Sequence, residues 1–86
     1  MLSKETVLDR IEIDEHGSVS VRRAMYVVED GVRIAGPIYH RVGYTPGDDV
    51  AAESDRVKAV AAVIWTPEVV TEARDRKAQA LAARQV

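Results

Sequence analysis

The sequence predicts an α+β fold in which a three-stranded antiparallel meander, with strand order 1-2-3, packs on one or two C-terminal helices. Three observations support this prediction. Segments that alternate apolar and polar residues occupy the first half of the chain, as in half-buried strands. Short glycine-containing turns separate these segments. The second half instead repeats apolar residues at helical spacing.

The central strand is predicted at residues 18–29, and the strand before it at residues 6–14. The loop between them, residues 15–17, suits a three-residue hairpin connection in which Gly17 takes a left-handed conformation. This loop pairs residue 14 with residue 18 and thereby sets the register of the first hairpin.

Asp9 is the one polar residue that interrupts the apolar face of the first strand. In the register set by the loop, Asp9 lies opposite Arg23, so we expect a salt bridge that helps to fix the pairing of the strands. A catalytic carboxylate held by the arginine is the alternative interpretation, and we favour the structural one because such cross-strand pairs are common in sheets.

The third strand is predicted at residues 32–42. The dipeptide before it, Asp30-Gly31, is a strong hairpin signal, because a two-residue turn of this type needs positive φ at both positions. This turn gives the central strand the same buried face as the first turn does. Pro37 has no N–H to donate, which places the third strand at an edge of the sheet or bends it.

Two helices are predicted, at residues 54–65 and 67–83. In the first one, apolar residues recur at helical spacing, namely Val57, Val60, Ala61 and Ile64. Ser54 or Asp55 is its N-cap. Thr66 and Pro67 are typical of the N-cap and first position of a new helix. Trp65, between the two helices, is expected to anchor the core.

The composition indicates a single domain, residues 1–86, whose core is poor in large side chains. The chain has no Phe and one Trp. A twelve-residue strand spans about 40 Å, whereas the first helix would be only about 16 Å long. Since one short helix cannot cover the hairpin face, either the second helix or a second copy must do so. We therefore expect a homo-oligomer, most simply a dimer, with a trimer as the alternative.

Charge and hydropathy exclude several classes of function. The net charge is −2, which gives no overall attraction to nucleic acid or to an anionic membrane. The absence of cysteine excludes disulfides and thiol chemistry. The longest apolar run, residues 59–65, is too short to cross a bilayer, and the N-terminus lacks the apolar core of a secretion signal. We expect no membrane partner.

A weak binding surface is predicted on the polar face of the sheet. The registers bring arginine and tyrosine side chains together there, and such groups bind phosphates or stack on bases. A solvated face, on which arginine stems cover apolar surface, is the more common arrangement. The residues of this predicted surface are Arg10, Arg22, Tyr39 and Arg41.

No catalytic, metal or cofactor site is predicted. His40 falls on the apolar face without a serine or cysteine nucleophile in a known motif nearby. With two histidines and no cysteine, a zinc site is improbable. The acidic stretch 46–49 does not repeat oxygen ligands as a calcium loop does, and a turn whose carboxylates precede a helix explains it better. We expect a protein that is not an enzyme.

Several short segments form a pattern along the chain: Tyr39-His40-Arg41, Pro46-Gly47-Asp48-Asp49, Val57, Ala59, Ala61 and Trp65-Thr66-Pro67-Glu68-Val69. This pattern resembles a family of small bacteriophage and prophage proteins found among structural or tail-region genes. The similarity covers about residues 6–70 and is most specific at the W-T-P-E-V segment, whereas the C-terminal tail departs from it.

The resemblance implies a viral context and no catalytic residues. The leading prediction is a non-enzymatic phage structural or assembly protein that forms homo-oligomers or docks on a virion partner, located in the virion or the host cytoplasm. The alternative is a small phage-encoded module that contacts nucleic acid or a host protein through the arginine and tyrosine face, for example as an inhibitor of host defence.

Overall fold

Three strands followed by two helices make up the chain, as the sequence predicts. A computed structural model describes residues 1–84; Gln85 and Val86, at the end of the predicted domain, lie outside it. The strands form one sheet in the order β1-β2-β3. The elements are β1 (Leu2–Ile13), β2 (Val19–Glu29), β3 (Val32–Tyr44), α1 (Asp55–Ile64) and α2 (Pro67–Arg84).

Both predicted hairpin turns are confirmed. The N–H of Asp14 donates to the carbonyl of Ser18 at 3.1 Å, and Gly17 has a φ of 84°. In the second turn, φ is 50° at Asp30 and 82° at Gly31, which are the two positive values that a tight hairpin of this type needs.

Strand β1 starts four residues before its predicted beginning. The segment 2–5 lacks a clear alternation, but ion pairs link it to the second hairpin. The terminal amino group of Met1 lies 3.0 Å from Asp30 Oδ1, and Arg33 Nε donates to Glu5 Oε1 at 2.7 Å. Tertiary contacts therefore extend this strand beyond what its own sequence specifies.

Strand β3 lies at an edge of the sheet, as Pro37 predicts, and its residues from Val32 to Arg41 are all exposed. The peptide bond between Gly36 and Pro37 is cis. At Gly36 φ is 103°, and a Cβ there would lie 2.7 Å from the carbonyl oxygen of Met25. Only glycine fits where β3 approaches β2 so closely.

The described chain forms two compact units. The first consists of residues 1–12 and 20–43, which contain most of the three strands. The second consists of residues 13–19 and 44 onward, which contain the first turn, the loop after β3 and both helices.

In the second unit, Val57, Ala61 and Ala73 of the helices are buried, and so is Val19, the first residue of β2. Val57 and Ala61 belong to the stripe predicted for α1. On α2, Val69 and Val70 are half-buried, and Leu81 is 49% exposed. The apolar stripe of α2 therefore fades after Ala73.

The described residues bury few large side chains. Three of the six buried apolar residues are alanines, which remove little area from water. This agrees with the prediction that the core contains few large side chains. The six residues are Val19, Val21, Ala24, Val57, Ala61 and Ala73.

Candidate functional site

Asp9 forms its salt bridge with Arg22, which corrects the predicted pairing with Arg23. Arg22 Nε donates to Asp9 Oδ1 at 3.0 Å, and Arg22 Nη2 donates to Oδ2 at 2.7 Å. The contact is bidentate, the geometry in which an arginine and a carboxylate bind most strongly. The side chains are only 18% and 22% exposed for Arg22 and Asp9, so the ion pair is largely sheltered from water.

The correction has a physical reason in the register of the first hairpin. Asp14 faces Ser18 next to the turn, and continuing that register would put Asp9 and Arg22 on opposite faces of the sheet. Their contact requires a shift of one residue between the two points. A one-residue shift of this kind is what a β-bulge produces. On the Asp9 side of the shift, Val7 falls by alternation on the same side as Arg22.

The ion pair changes the protonation behaviour of both groups. The hydrogen bonds from Arg22, which outweigh the effect of desolvation, lower the pKa of Asp9 below its usual value of 3.8. The hydrogen bonds to Asp9 raise the pKa of Arg22. Both groups therefore stay charged near neutral pH, and Asp9 is poorly suited to act as a general acid or base.

The guanidinium of Arg22 also stacks on an aromatic ring. Its Cζ lies 4.2 Å from the ring centre of Tyr39 on the neighbouring strand β3. Together with the salt bridge, this cation–π contact links one residue of each strand in a row: Asp9 on β1, Arg22 on β2 and Tyr39 on β3. The structure thus brings two of the predicted binding residues, Arg22 and Tyr39, into direct contact.

A second row of the same chemistry lies farther from the first turn. Arg33 binds Glu5, and its Cζ lies 3.9 Å from the ring centre of Tyr26. We call the side of the sheet that carries both rows the charged face. It is defined by Glu5, Asp9, Arg22, Tyr26, Arg33 and Tyr39.

Carboxylates pair with both arginines of the charged face, Arg22 and Arg33. Arg10, another predicted binding residue, is paired in the same way, because its Nη1 lies 3.0 Å from Glu12 Oε1. A phosphate would have to compete with these internal partners. Arg41, the fourth predicted binding residue, is exposed near the end of β3.

Sequence reasoning missed the second row. Glu5 lies before the predicted start of β1, so no register assigned it a neighbour. Tyr26 and Arg33 are not directly opposite each other in the second hairpin, and their contact is diagonal. The available signal was an arginine next to the Asp30-Gly31 turn, within reach of a tyrosine on the facing strand.

The opposite side of the first unit is an apolar face. Arg33 and Tyr39 of β3 belong to the charged face. Because side chains alternate along a strand, the even-numbered residues of β3 project from the other side. Three of them are largely exposed: Val32 at 62%, Ile34 at 53% and Ile38 at 61%. Met25 and Val27 of β2, which are half-buried, share this side by alternation. We call the surface of Met25, Val27, Val32, Ile34 and Ile38 the apolar face.

A recess of about 340 Å³ opens beside Ile38. Its lining is mainly apolar. His40, which the sequence places on the apolar face, is part of this lining, as are Thr6 and Arg23. Thr6, Arg23, Met25, Ile38, Tyr39 and His40 line the recess.

The predicted structural residues of the second unit meet around the first turn. The indole Nε1 of Trp65 donates to the carbonyl oxygen of Gly17 at 2.7 Å. A Cβ on Gly17 would lie 3.0 Å from Val69 Cγ1, so the turn packs closely against the start of α2. Trp65 thus ties the connection between the helices to the first hairpin turn.

The helix caps agree in part with the predictions. Thr66 is confirmed as the N-cap of α2, because its Oγ1 accepts from the N–H of Val69 at 3.3 Å, with Pro67 as the first helical residue. Ser54 occupies the N-cap position of α1, but its side chain makes no capping hydrogen bond.

The acidic stretch 46–49 forms turns. Asp48 Oδ2 accepts from the N–H of Thr45 at 2.8 Å, and Asp49 Oδ1 accepts from the N–H of Ala51 at 2.9 Å. Both carboxylates therefore serve the local backbone. Within residues 1–84, no three His, Cys, Asp or Glu side chains are grouped so as to hold a metal ion.

Neither helix of the described chain is long and apolar enough to cross a membrane. Comparisons with protein-family models, with curated proteins and with solved structures find no match to the chain. The geometry of the two sheet faces is therefore the main basis for a functional proposal.

Proposed function

We propose that this protein is a non-enzymatic phage structural or assembly protein that acts as a homodimer, in which two copies meet through the apolar face. The observation that carries the proposal is the exposure of Ile34 and Ile38, each more than half accessible on one side of a sheet. Contiguous apolar surface of this kind on a soluble protein usually marks an interaction site.

The strand pattern supports a covered face. An antiparallel sheet normally buries one side and leaves the other in water. In the first unit, the side that carries the salt bridges of Arg22 and Arg33 suits water. The apolar side is the one that a sheet of this type normally buries, and a partner would complete this arrangement.

The dimensions of the face fit a second copy. The apolar face itself covers seven residue positions on two strands, about 23 Å by 10 Å, whereas this whole side of the three-stranded sheet measures about 33 Å by 14 Å, or roughly 500 Å² in projection. Two copies of the whole side contribute about 1,000 Å² together, which is near the lower bound for a specific interface. A dimer would therefore use this side of all three strands, with the apolar face at its centre, and two-fold symmetry is the commonest way for identical surfaces to meet.

The charged face supports a role without catalysis. Arg22 holds Asp9 ionised, and Arg33 forms a hydrogen-bonded pair with Glu5. Carboxylates fixed by arginine contribute to the rigidity of a sheet and are poor proton donors near neutral pH. The phage context is supported by the resemblance of the 39–41, 46–49 and 65–69 segments to small phage proteins.

Static light scattering across a hundredfold dilution tests the proposal. We expect a mass of two chains at high concentration, dissociation to one chain on dilution, and a melting temperature that rises with concentration. A mass of one chain at every concentration would contradict the dimer. A mass of three chains would contradict the two-fold arrangement and favour a fibre-like trimer.

A second candidate function is a module that binds single-stranded nucleic acid through the charged face. The observation that favours it is the side chain of Tyr39, which is 51% exposed and lies two residues from the exposed Arg41. Aromatic rings beside arginines stack on bases.

Binding that weakens steeply with salt, and that is lost in Arg41→Ser but not in Arg56→Ser, would support this second function. Arg56 is the matched control because it is an exposed arginine on α1. Equal loss in both variants would contradict a site on the charged face.

A further inference from the structure

We propose that the apolar face is self-complementary: in the dimer, Ile34 of each copy inserts into the recess beside Ile38 of the other. This inference rests on the proposed function and specifies its geometry. Ile34 is one of three exposed side chains that β3 places on the face, and the same strand borders the recess. A two-fold interface can pair two such features, since residue i of one copy meets residue j of the other and the reverse.

Gly36 separates the two features. Ile34 and Ile38 lie on the same side of β3, and the residue between them on that side has no side chain. Four residues of a strand span at most about 13 Å. A two-fold axis that passes over Gly36, parallel to the sheet and perpendicular to β3, places Ile34 of one copy over the recess of its partner, and both contacts form at once.

The recess has the size and lining for an aliphatic anchor. A cavity of about 150 Å³ holds a benzene molecule, so the recess of about 340 Å³ accommodates a branched side chain. Met25 and Ile38 supply apolar contacts, and the stem of Arg23 adds methylene surface. Apolar anchors that fill such pockets usually dominate the energy of an interface.

Crosslinking of single-cysteine variants tests this geometry, because the chain has no cysteine of its own. Facing sheets lie about 10 Å apart, so residue 34 of one copy and residue 38 of the other would be separated by about 10 Å. Two copies of residue 34 would be farther apart, at most about 16 Å, as would two copies of residue 38. A short bismaleimide can bridge the shorter separation and not the longer one.

The experiment mixes Ile34→Cys with a differently tagged Ile38→Cys and follows the crosslinked product, with light scattering on the same samples. We expect several-fold more product in the mixture than with either variant alone. Ala35→Cys is the matched control: it lies one residue from Ile34 but faces the other side of the sheet, so its mixture with Ile38→Cys should give only background.

The outcomes separate this inference from the proposed function. A dimer in which Ile34→Cys or Ile38→Cys alone gives the most product would overturn the placement of the axis and leave the homodimer standing. A dimer in which Ala35→Cys alone gives the most product would place the interface on the charged face. Monomers in light scattering would overturn the homodimer itself, and this inference with it.

Discussion

At the scale of single residues, the partner of Asp9 is the clearest difference between prediction and structure. The predicted partner was Arg23, and the observed one is Arg22. Both side chains are mostly sheltered from water, and the bidentate geometry fixes them. Two predictions follow from this ion pair, one for mutants and one for pH.

The mutant prediction concerns the partner of Asp9. We expect Asp9→Ala and Arg22→Ala each to lower the free energy of unfolding, and the double variant to lose less than the sum, because either change alone removes the same contact. The matched pair, Asp9→Ala with Arg23→Ala, should be additive. Urea unfolding of the six proteins measures both couplings, and coupling to Arg23 alone would restore the register that the sequence predicted.

The pH prediction follows from the lowered pKa of Asp9. A group whose pKa is lower in the folded state stabilises the fold fully above its unfolded-state pKa. This contribution is lost as the pH falls through the lower folded-state pKa. We therefore expect the melting temperature of the natural protein to fall below pH 3.8 more steeply than that of Asp9→Asn. Parallel curves for the two proteins would show that Asp9 is not held by Arg22.

Glycines give a third prediction at this scale. Gly31→Ala should cost about 1–2 kcal/mol from backbone strain alone, since φ is positive and the space around it is open. Gly36→Ala should cost more, because its Cβ would also meet the Met25 carbonyl. Gly43→Ala is the control: Gly43 has no positive φ and no atom near its Cβ. Thermal unfolding ranks the three, and an equal loss at Gly31 and Gly36 would contradict the close approach of β3 to β2.

At the scale of elements, the sequence predicts what depends on local patterns and misses what depends on distant contacts. Both turns, the stripe of α1 and the Thr66 cap follow from residues a few positions apart. The early start of β1 accompanies ion pairs with the far end of the second hairpin, which the pattern of residues 2–5 does not show. The partner of Asp9 depends on a register shift in the first hairpin. No glycine or proline between residues 9 and 14 signals this shift in the sequence.

The candidate site likewise has features that local patterns predict and features that depend on distant contacts. Periodicity alone predicts that Arg22 and Tyr39 share one face of the sheet, and the two side chains are in contact there. The carboxylates that occupy the arginines could not be predicted together, because Glu5 was not assigned to a strand. The exposure of Ile34 and Ile38 was not predicted either. Alternation of apolar and polar residues identifies the apolar face of a sheet, but it does not show whether other parts of the chain cover that face.

The link between the first turn and the helices gives a prediction at the element scale. Trp65→Phe keeps most of the apolar contact but removes the donor to the Gly17 carbonyl. We expect a loss of about 1 kcal/mol in the free energy of unfolding, the usual contribution of one hydrogen bond. His16→Ala, an exposed change in the same turn, is the control and should be nearly silent. Similar losses in both variants would argue against this hydrogen bond.

At the scale of the whole molecule, a small buried core and an exposed apolar sheet face belong to one explanation. Six buried apolar residues, half of them alanine, supply little hydrophobic stabilisation. Chains of this size commonly gain the remainder by association. In the proposed dimer, the charged face would remain in water, where it would keep the assembly soluble.

The central claim is that the apolar face joins two copies, and the most direct test is the mass of two matched variants by light scattering. Ile38→Asp places a charge on the apolar face, whereas Val63→Asp makes the same kind of change on α1, where Val63 is 76% exposed. We predict that Ile38→Asp is a folded monomer at concentrations where the natural protein and Val63→Asp are dimers. A dimer that survives Ile38→Asp, or that is lost equally in both variants, would contradict this account.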